Sequence, residues 1–96
     1  MNAAERRHVD AVRKVGCVVC RRFDATGLRT EIHHVAEGSG LRSWFSIAGL
    51  CTEHHRGATG LHGMGTKAFV RFYRPPGDSE FGLLVWVNAD LAAARR

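Results

Sequence analysis

The chain holds three cysteines, and their spacing is that of metal ligands rather than of a disulfide framework. Cys17 and Cys20 form a C-x-x-C pair, and Cys51 with His54 repeats the same interval further along. Two intervening residues let both side chains of a tight turn reach one ion. Four such N/S ligands complete a tetrahedral zinc site with no open position. A site closed in this way holds a fold together and does no chemistry. The bland alternative is three buried thiols beside an incidental histidine, since unpaired cysteine is often buried. Two knuckles at matched spacing in so short a chain favour the metal.

The remaining histidines point to a second centre of a different kind. The stretch EIHHV, Glu31 to Val35, sets His33 beside His34, so on a strand their rings point to opposite faces. Opposed rings imply different tasks. One can ligate a metal while the other, neutral and oriented by a hydrogen bond to its second nitrogen, acts as a general base. Histidine suits that task because its pKa lies near working pH. His55 follows the second knuckle directly, and His62 lies in the glycine-rich stretch beyond it. The set His33, His55 and His62 would hold a metal by three imidazoles and leave positions open for substrate. Such a metal binds a phosphate oxygen as a Lewis acid and stabilises a leaving alkoxide.

Short elements must position these groups. Ala3 to Val15 has helical spacing, with Ala4, His8, Ala11, Val12 and Val15 on one face, and Gly16 ends it. Cys17 to Cys20 reads as a tight turn and Arg29 to Val35 as a strand. Residues 36–43, with Gly38 and Gly40, read as a loop, and Trp44 to Cys51 as a second, antiparallel strand. Gly57, Gly60, Gly63 and Gly65 make an irregular loop. Thr66 is the expected N-cap of a helix running to Arg74, which Pro75 and Pro76 stop. Asp78 or Ser79 would cap a last helix whose inner side is Phe81, Leu84, Val85, Asn88 and Leu91 or Ala92. The fold class is α+β, two short strands among three helices, in a single domain over 1–96.

A chain of 96 residues buries only roughly 60–65% of its unfolded surface, so a structural metal would supplement a thin core. The net charge of +5 favours a polyanionic partner, most often nucleic acid. Lys67, Arg71 and Arg74 recur at i, i+4 and i+7 as a basic stripe, with Phe69, Phe72 and Tyr73 on the opposite, core-facing side. Such a stripe can simply solubilise a helix. Its closeness to His62 favours contact with DNA phosphates, and Thr66 with the first helix amides adds an anion site. None of these groups reads bases, so weak sequence preference and steep salt dependence are expected, with RNA still possible as substrate. Arg21, Arg22 and Arg42 could add phosphate contacts, whereas Trp44 and Phe45 are expected to cover the core. No apolar run of about 18 residues is present, so no membrane span is expected. The opening MNAAERRHVD has no apolar h-region, so no secretory signal is expected either.

The segments EIHHV, GLCTEHHRG and GLHGMGTKAFVRFY together resemble the HNH (ββα-metal) endonuclease motif with its zinc knuckles. The likeness runs from about Cys17 to Tyr73 and is strongest to the phage recombination-enhancement, Ref-type HNH nucleases. It implies a small zinc-stabilised, treble-clef-like ββα-metal domain with flanking helices. It also implies a metal-dependent DNA endonuclease, phage or prophage encoded, working in the cytoplasm of a bacterial host cell. Carried across, His33 corresponds to the metal ligand, His34 to the general base, His55 to the ligand on the second half of the motif and His62 to the Ref-like extension. The cofactors implied are a structural Zn²⁺ and a catalytic divalent metal: Mg²⁺, Mn²⁺, Ni²⁺ or Zn²⁺. Ser46 stands where the standard motif has its middle asparagine, so the loop that asparagine pins must be held differently. A reading from another class keeps the knuckles and drops the cutting: a zinc-stabilised DNA-binding module with structural histidines. His34 separates the two, because a binding module has no reason to set a second imidazole opposite a ligand.

Overall fold

Asn2 and Glu5 start the first helix by satisfying each other's backbone. The Glu5 N–H donates to the Asn2 side chain at 2.8 Å, and the Asn2 N–H donates to the Glu5 carboxylate at 2.7 Å. This capping box settles donors that a helix start leaves open. Helix α1 (Ala3–Val15) follows, and Gly16 ends it at a φ of 94°. The structure is a computed structural model and describes residues 1–27, 29–36 and 42–95. After α1 come α2 (Val18–Phe23), β1 (Thr30–His34), β2 (Ile47–Cys51), α3 (Thr52–Arg56), α4 (Leu61–Met64), α5 (Thr66–Tyr73), a 3-10 turn at Pro76–Asp78 and α6 (Gly82–Ala94). The result is a small α+β arrangement. Most of the expected 36–43 loop, Gly38 and Gly40 included, lies outside the described residues, as does Arg96.

The two strands pair antiparallel, with Thr30 opposite Cys51, Ile32 opposite Gly49 and His34 opposite Ile47. All of β2 is buried, because α1, α2 and α6 cover it. Gly49 is needed there: a Cβ would lie 2.5 Å from the carbonyl oxygen of Gly16, where α1 ends against the strand. Around β2 the core gathers Val12, Val18, Val19, Ile47, Leu50, Phe69 and Leu83. Among the described residues, no helix is long and apolar enough to cross a membrane.

The structure departs from the sequence expectations in several places. The knuckle segments are helical: α2 grows out of the expected tight turn, and α3 follows β2 without a break. The second strand starts at Ile47 rather than Trp44. In α1 the buried centre is Val9 with Val12, and Ala4 is exposed. Gly65, not Thr66, caps α5, and Arg74 is its left-handed C-cap with a φ of 56°. Phe69 and Tyr73 face the core as expected, but Phe72 is 66% exposed. Trp44 packs against the core while Phe45 does not.

Helix α6 is rotated from its expected setting, and neither Asp78 nor Ser79 caps it. Its buried residues are Gly82, Leu83, Val87, Asp90 and Leu91, whereas Phe81 and Val85 are 43% and 54% exposed. The stretch from Leu83 to Val87 is apolar all round, so its pattern alone cannot select a face. Arg22 selects it. Its guanidinium donates to both Asp90 oxygens at 2.9 Å and lies 4.9 Å from the centre of the Trp86 ring.

The two phenylalanines of α5 give a direct check. Phe69→Ala should destabilise the protein by about 3–5 kcal/mol, the usual result of emptying a phenylalanine site in a core. Phe72→Ala should stay within about 0.5 kcal/mol of the parent, as exposed substitutions do. Urea unfolding of both variants measures this, and equal losses would contradict the orientation of α5.

Candidate functional site

The knuckle residues converge. His54 Nδ1 lies 3.5 Å from Cys17 Sγ, 3.4 Å from Cys20 Sγ and 3.2 Å from Cys51 Sγ, and the Cys20 and Cys51 sulfurs are 3.7 Å apart. Zinc, with bonds near 2.3 Å to sulfur and 2.0–2.1 Å to nitrogen, spaces tetrahedral donors by roughly 3.5–3.8 Å. The four donors fit such an ion. Each sulfur also accepts a backbone N–H: Cys17 from Cys20 at 3.4 Å, Cys20 from Gly27 at 3.3 Å and Cys51 from His54 at 3.4 Å. Donors of this kind favour thiolates. Burial pushes the Cys17 and Cys20 thiols up, Cys20 to about 12, so a cation rather than neutral pH must deprotonate them. Burial holds His54 below its ordinary value, which keeps the imidazole neutral and able to ligate. The cluster of Cys17, Cys20, Cys51 and His54 can therefore hold a structural metal such as zinc. Gly27 presses on it: a Cβ there would lie 2.2 Å from the Cys51 Cβ.

A second cluster forms from β1, α3 and α4. His33, His55 and His62 each bring one ring nitrogen within 4.8 Å of the others. His33 and Glu31 share a face of β1, two residues apart, and that face meets α3. The Glu31 carboxylate lies 2.8 Å from His55 Nδ1 and also takes both ends of the Arg56 guanidinium, at 3.0 and 2.6 Å. Arg56 first, then His55, holds the Glu31 carboxyl down to about 2. His33 Nε2 meets the Glu80 carboxylate at 2.5 Å, a pair in which both side chains are buried. Burial, then the charges of His55 and His33, holds His62 below the ordinary imidazole value. The loop between α3 and α4 is tied down by Glu53, which accepts from the Thr59 N–H at 2.9 Å and the Thr59 hydroxyl at 2.8 Å. Tyr73 fastens it from α5 by donating to the Thr59 carbonyl at 2.6 Å.

A cleft of about 200 Å³ opens beside this cluster, lined by His33, His34, Ala36, Leu61, His62, Thr66 and Glu80. His34, the last residue of β1, also lines this cleft although it alternates with His33. The expected hydrogen bond to its second nitrogen is not found at Nδ1 among the described residues. His34 Nδ1 is buried with no partner among the described residues, and the Trp44 ring packs edge-on at 4.7 Å instead. Ser46 supplies a pin between the strands: its hydroxyl donates to the Val35 carbonyl at 2.7 Å, and the Val35 N–H donates to the Ser46 carbonyl at 2.8 Å. Of the basic helix, Thr66 lines the cleft, Lys67 and Arg71 are exposed, and Arg74 lies 3.7 Å from Asp78. Arg22 faces Asp90 and is partly buried, which removes it from the candidate phosphate contacts.

Sequence reasoning missed Glu31, Glu80 and Gly27 as parts of the two clusters. Strand alternation could have found Glu31, which is two residues before His33. Nothing local marks Glu80 or Gly27; only the packing of distant elements brings them in.

The family described as "Recombination enhancement, RecA-dependent nuclease" matches residues 1–94, a span that takes in both clusters. No curated protein and no solved structure matches the chain.

Two substitutions test the sulfur cluster. Cys51→Ser should release about one zinc per chain and unfold most of the protein, since zinc binding in small domains contributes on the order of 10 kcal/mol to folding. Gly27→Ala should weaken the same site, because its methyl group cannot coexist with Cys51 where the backbone now stands. Elemental analysis with circular dichroism reads both; a fully folded Cys51→Ser chain with parental zinc content would refute the assignment.

Proposed function

The chain belongs to the recombination-enhancement, RecA-dependent nuclease family, and from that premise we propose that the imidazole cluster is its cutting centre. The reading is an HNH-type DNA endonuclease, phage or prophage encoded, in which β1, β2 and α3 serve as the ββα-metal unit. The observation that carries it is an open set of three ring nitrogens beside a cleft that His34 also reaches. His33, His55 and His62 would hold one divalent cation, Mg²⁺, Mn²⁺, Ni²⁺ or Zn²⁺. Bound there, the cation supplies Lewis acidity to a phosphate oxygen and stabilises the leaving alkoxide. The sulfur cluster keeps a structural zinc.

The chain's own residues do the rest. His34 takes a proton from water as the water oxygen bonds to phosphorus and the bond to the leaving oxygen breaks. With Nδ1 buried, Nε2 would be the nitrogen left to take that proton. Glu31 accepts from His55 Nδ1–H and so leaves the other ring nitrogen of His55 for the metal. Thr66, at the first turn of α5, and the exposed Lys67 and Arg71 would hold the DNA backbone, with Arg74 contributing less because Asp78 already faces it. Phosphate contacts carry no base information, so sequence preference is weak.

The two neighbouring histidines should fail differently. His33→Ala should lose affinity for the catalytic metal. His34→Ala should keep metal and DNA yet lose cleavage by roughly 10²–10⁴-fold, the usual effect of a positioned base. The assay is nicking of supercoiled plasmid with each metal and with EDTA, with and without RecA, as the family description requires. Near-parental cutting by His34→Ala would move the base elsewhere. A parent that binds DNA but never cuts would make the protein a zinc-stabilised binding module.

The basic helix is tested by binding alone. Lys67→Ala with Arg71→Ala should weaken binding equally across DNA sequences and lower the salt slope by about 0.9 per lost contact. Fluorescence anisotropy over a salt series measures it, and an unchanged slope would make the stripe a solvated face only.

A further inference from the structure

Glu80 is 4% exposed, the most buried acid among the described residues, and its partner His33 is 6% exposed. A buried carboxylate is costly unless it is paired. Here the partner comes from an element 47 residues away, and the contact joins the segment ahead of α6 to the middle of β1. Glu80 stands outside the set of ring nitrogens that can share an ion, so it is not placed as a ligand. Its oxygen instead meets His33 Nε2. The same device recurs at His55, whose Nδ1 meets Glu31. Two of the three imidazoles are thus backed by an acid. Glu80 also acts on His62, through its charge.

We propose that Glu80 is a positioning residue of the imidazole centre, accepting the Nε2–H of His33 and so holding the ring with its other nitrogen toward His55 and His62. The negative charge behind the ring strengthens its remaining lone pair as a donor to a divalent cation. A ring hydrogen-bonded to Glu80 is also restrained from rotating. The inference rests on the reading of the three histidines as a metal centre.

The test uses the full chain with the cysteine site filled by one equivalent of zinc, and Ni²⁺ as the probe because imidazole suits it. Glu80→Gln keeps the shape and one acceptor oxygen but removes the charge; Glu80→Met removes the charge and the acceptor. Calorimetric titration should show Ni²⁺ affinity falling roughly 10–100-fold in Glu80→Met and several-fold in Glu80→Gln, the usual range for losing an outer partner of a ligand. Circular dichroism and zinc content should not change. Before Ni²⁺ is added, the His33 Nε2–H proton should exchange slowly in ¹⁵N–¹H spectra of the parent and be lost from those of Glu80→Met. Parental Ni²⁺ affinity in the variants would overturn the proposal and leave Glu80 an anchor of the fold. Should Glu80→Met not fold, Glu80→Gln decides alone, and parental affinity there overturns it. A parent whose Ni²⁺ uptake is unaffected by His55→Ala would instead remove the metal centre itself, and this inference with it.

Discussion

Three sulfurs and one imidazole nitrogen converge where the end of α1, the end of β2 and the start of α3 meet, and the other contacts follow from that convergence. Cys17 and Cys51 are each the N-cap of the helix that follows, their sulfurs accepting the N–H of the residue three positions on. The same spacing that lets two side chains share an ion therefore starts a helix. In α3 it turns His54 inward. His55 is one residue further, about 100° around the helix, so it is sent to the other side of α3. There the strand register takes over. Thr30 pairs with Cys51 and Glu31 with Leu50, which sets Glu31 beside the first turn of α3, within reach of Thr52, His55 and Arg56. The second cluster is built on the backbone that the first one fixes.

Apolar burial alone would not complete this arrangement. Turning α6 about its axis trades one aliphatic side chain for another, and at roughly 25 cal/mol per Å² the exchange is nearly neutral. Buried polar pairs decide it. Leaving Asp90 buried without Arg22 would cost about 1–3 kcal/mol or more, which exceeds any plausible gain from swapping Val85 for Leu83. Glu80 does the same ahead of the helix, where it meets His33. Such pairs contribute little net stability when set against apolar replacements. Their effect here is on orientation: one carboxylate ties the α6 segment to α2 and the other ties it to β1.

The sequence was legible where one residue type has a rigid geometric demand. Cysteine and histidine spacing grouped the two clusters that the fold brings together, and the periodicity of α1 and the alternation of β1 placed those elements to within a residue. It was illegible where packing chose among equivalent local options. Val18 and Val19 have modest helix propensity, so α2 looked like a turn until full burial and the Cys17 cap were counted. Phe72 and Phe69 are equally apolar, and only the position of Tyr73 against Thr59 shows which faces inward. Glu80 follows Pro-Pro-Gly-Asp-Ser and reads as a helix-cap region; its burial comes wholly from a strand far away in the chain. Ser46 departs from the standard motif. Its hydroxyl nevertheless links the strand ends, a task any short donor at that position can perform.

Histidine appears in both clusters, and the difference between them lies in completeness rather than in residue type. His54 meets three sulfurs, a set that fills a tetrahedron, and burial keeps its ring neutral. Among the described residues, His33, His55 and His62 bring together three ring nitrogens, so in the proposed centre a bound cation would keep positions for water or phosphate. The exposures are graded to match: His33 is buried, His55 half-buried and His62 exposed beside the cleft. Carboxylate contact is direct at His33 and His55, while Glu80 reaches His62 through its charge. In the proposed centre the inner two ligands are therefore held rigidly by the fold, while the outermost rests on a helix of four residues between glycines. An ion held that way would be fixed on the protein side and adjustable on the substrate side, which suits the phosphate entry and product departure proposed for it.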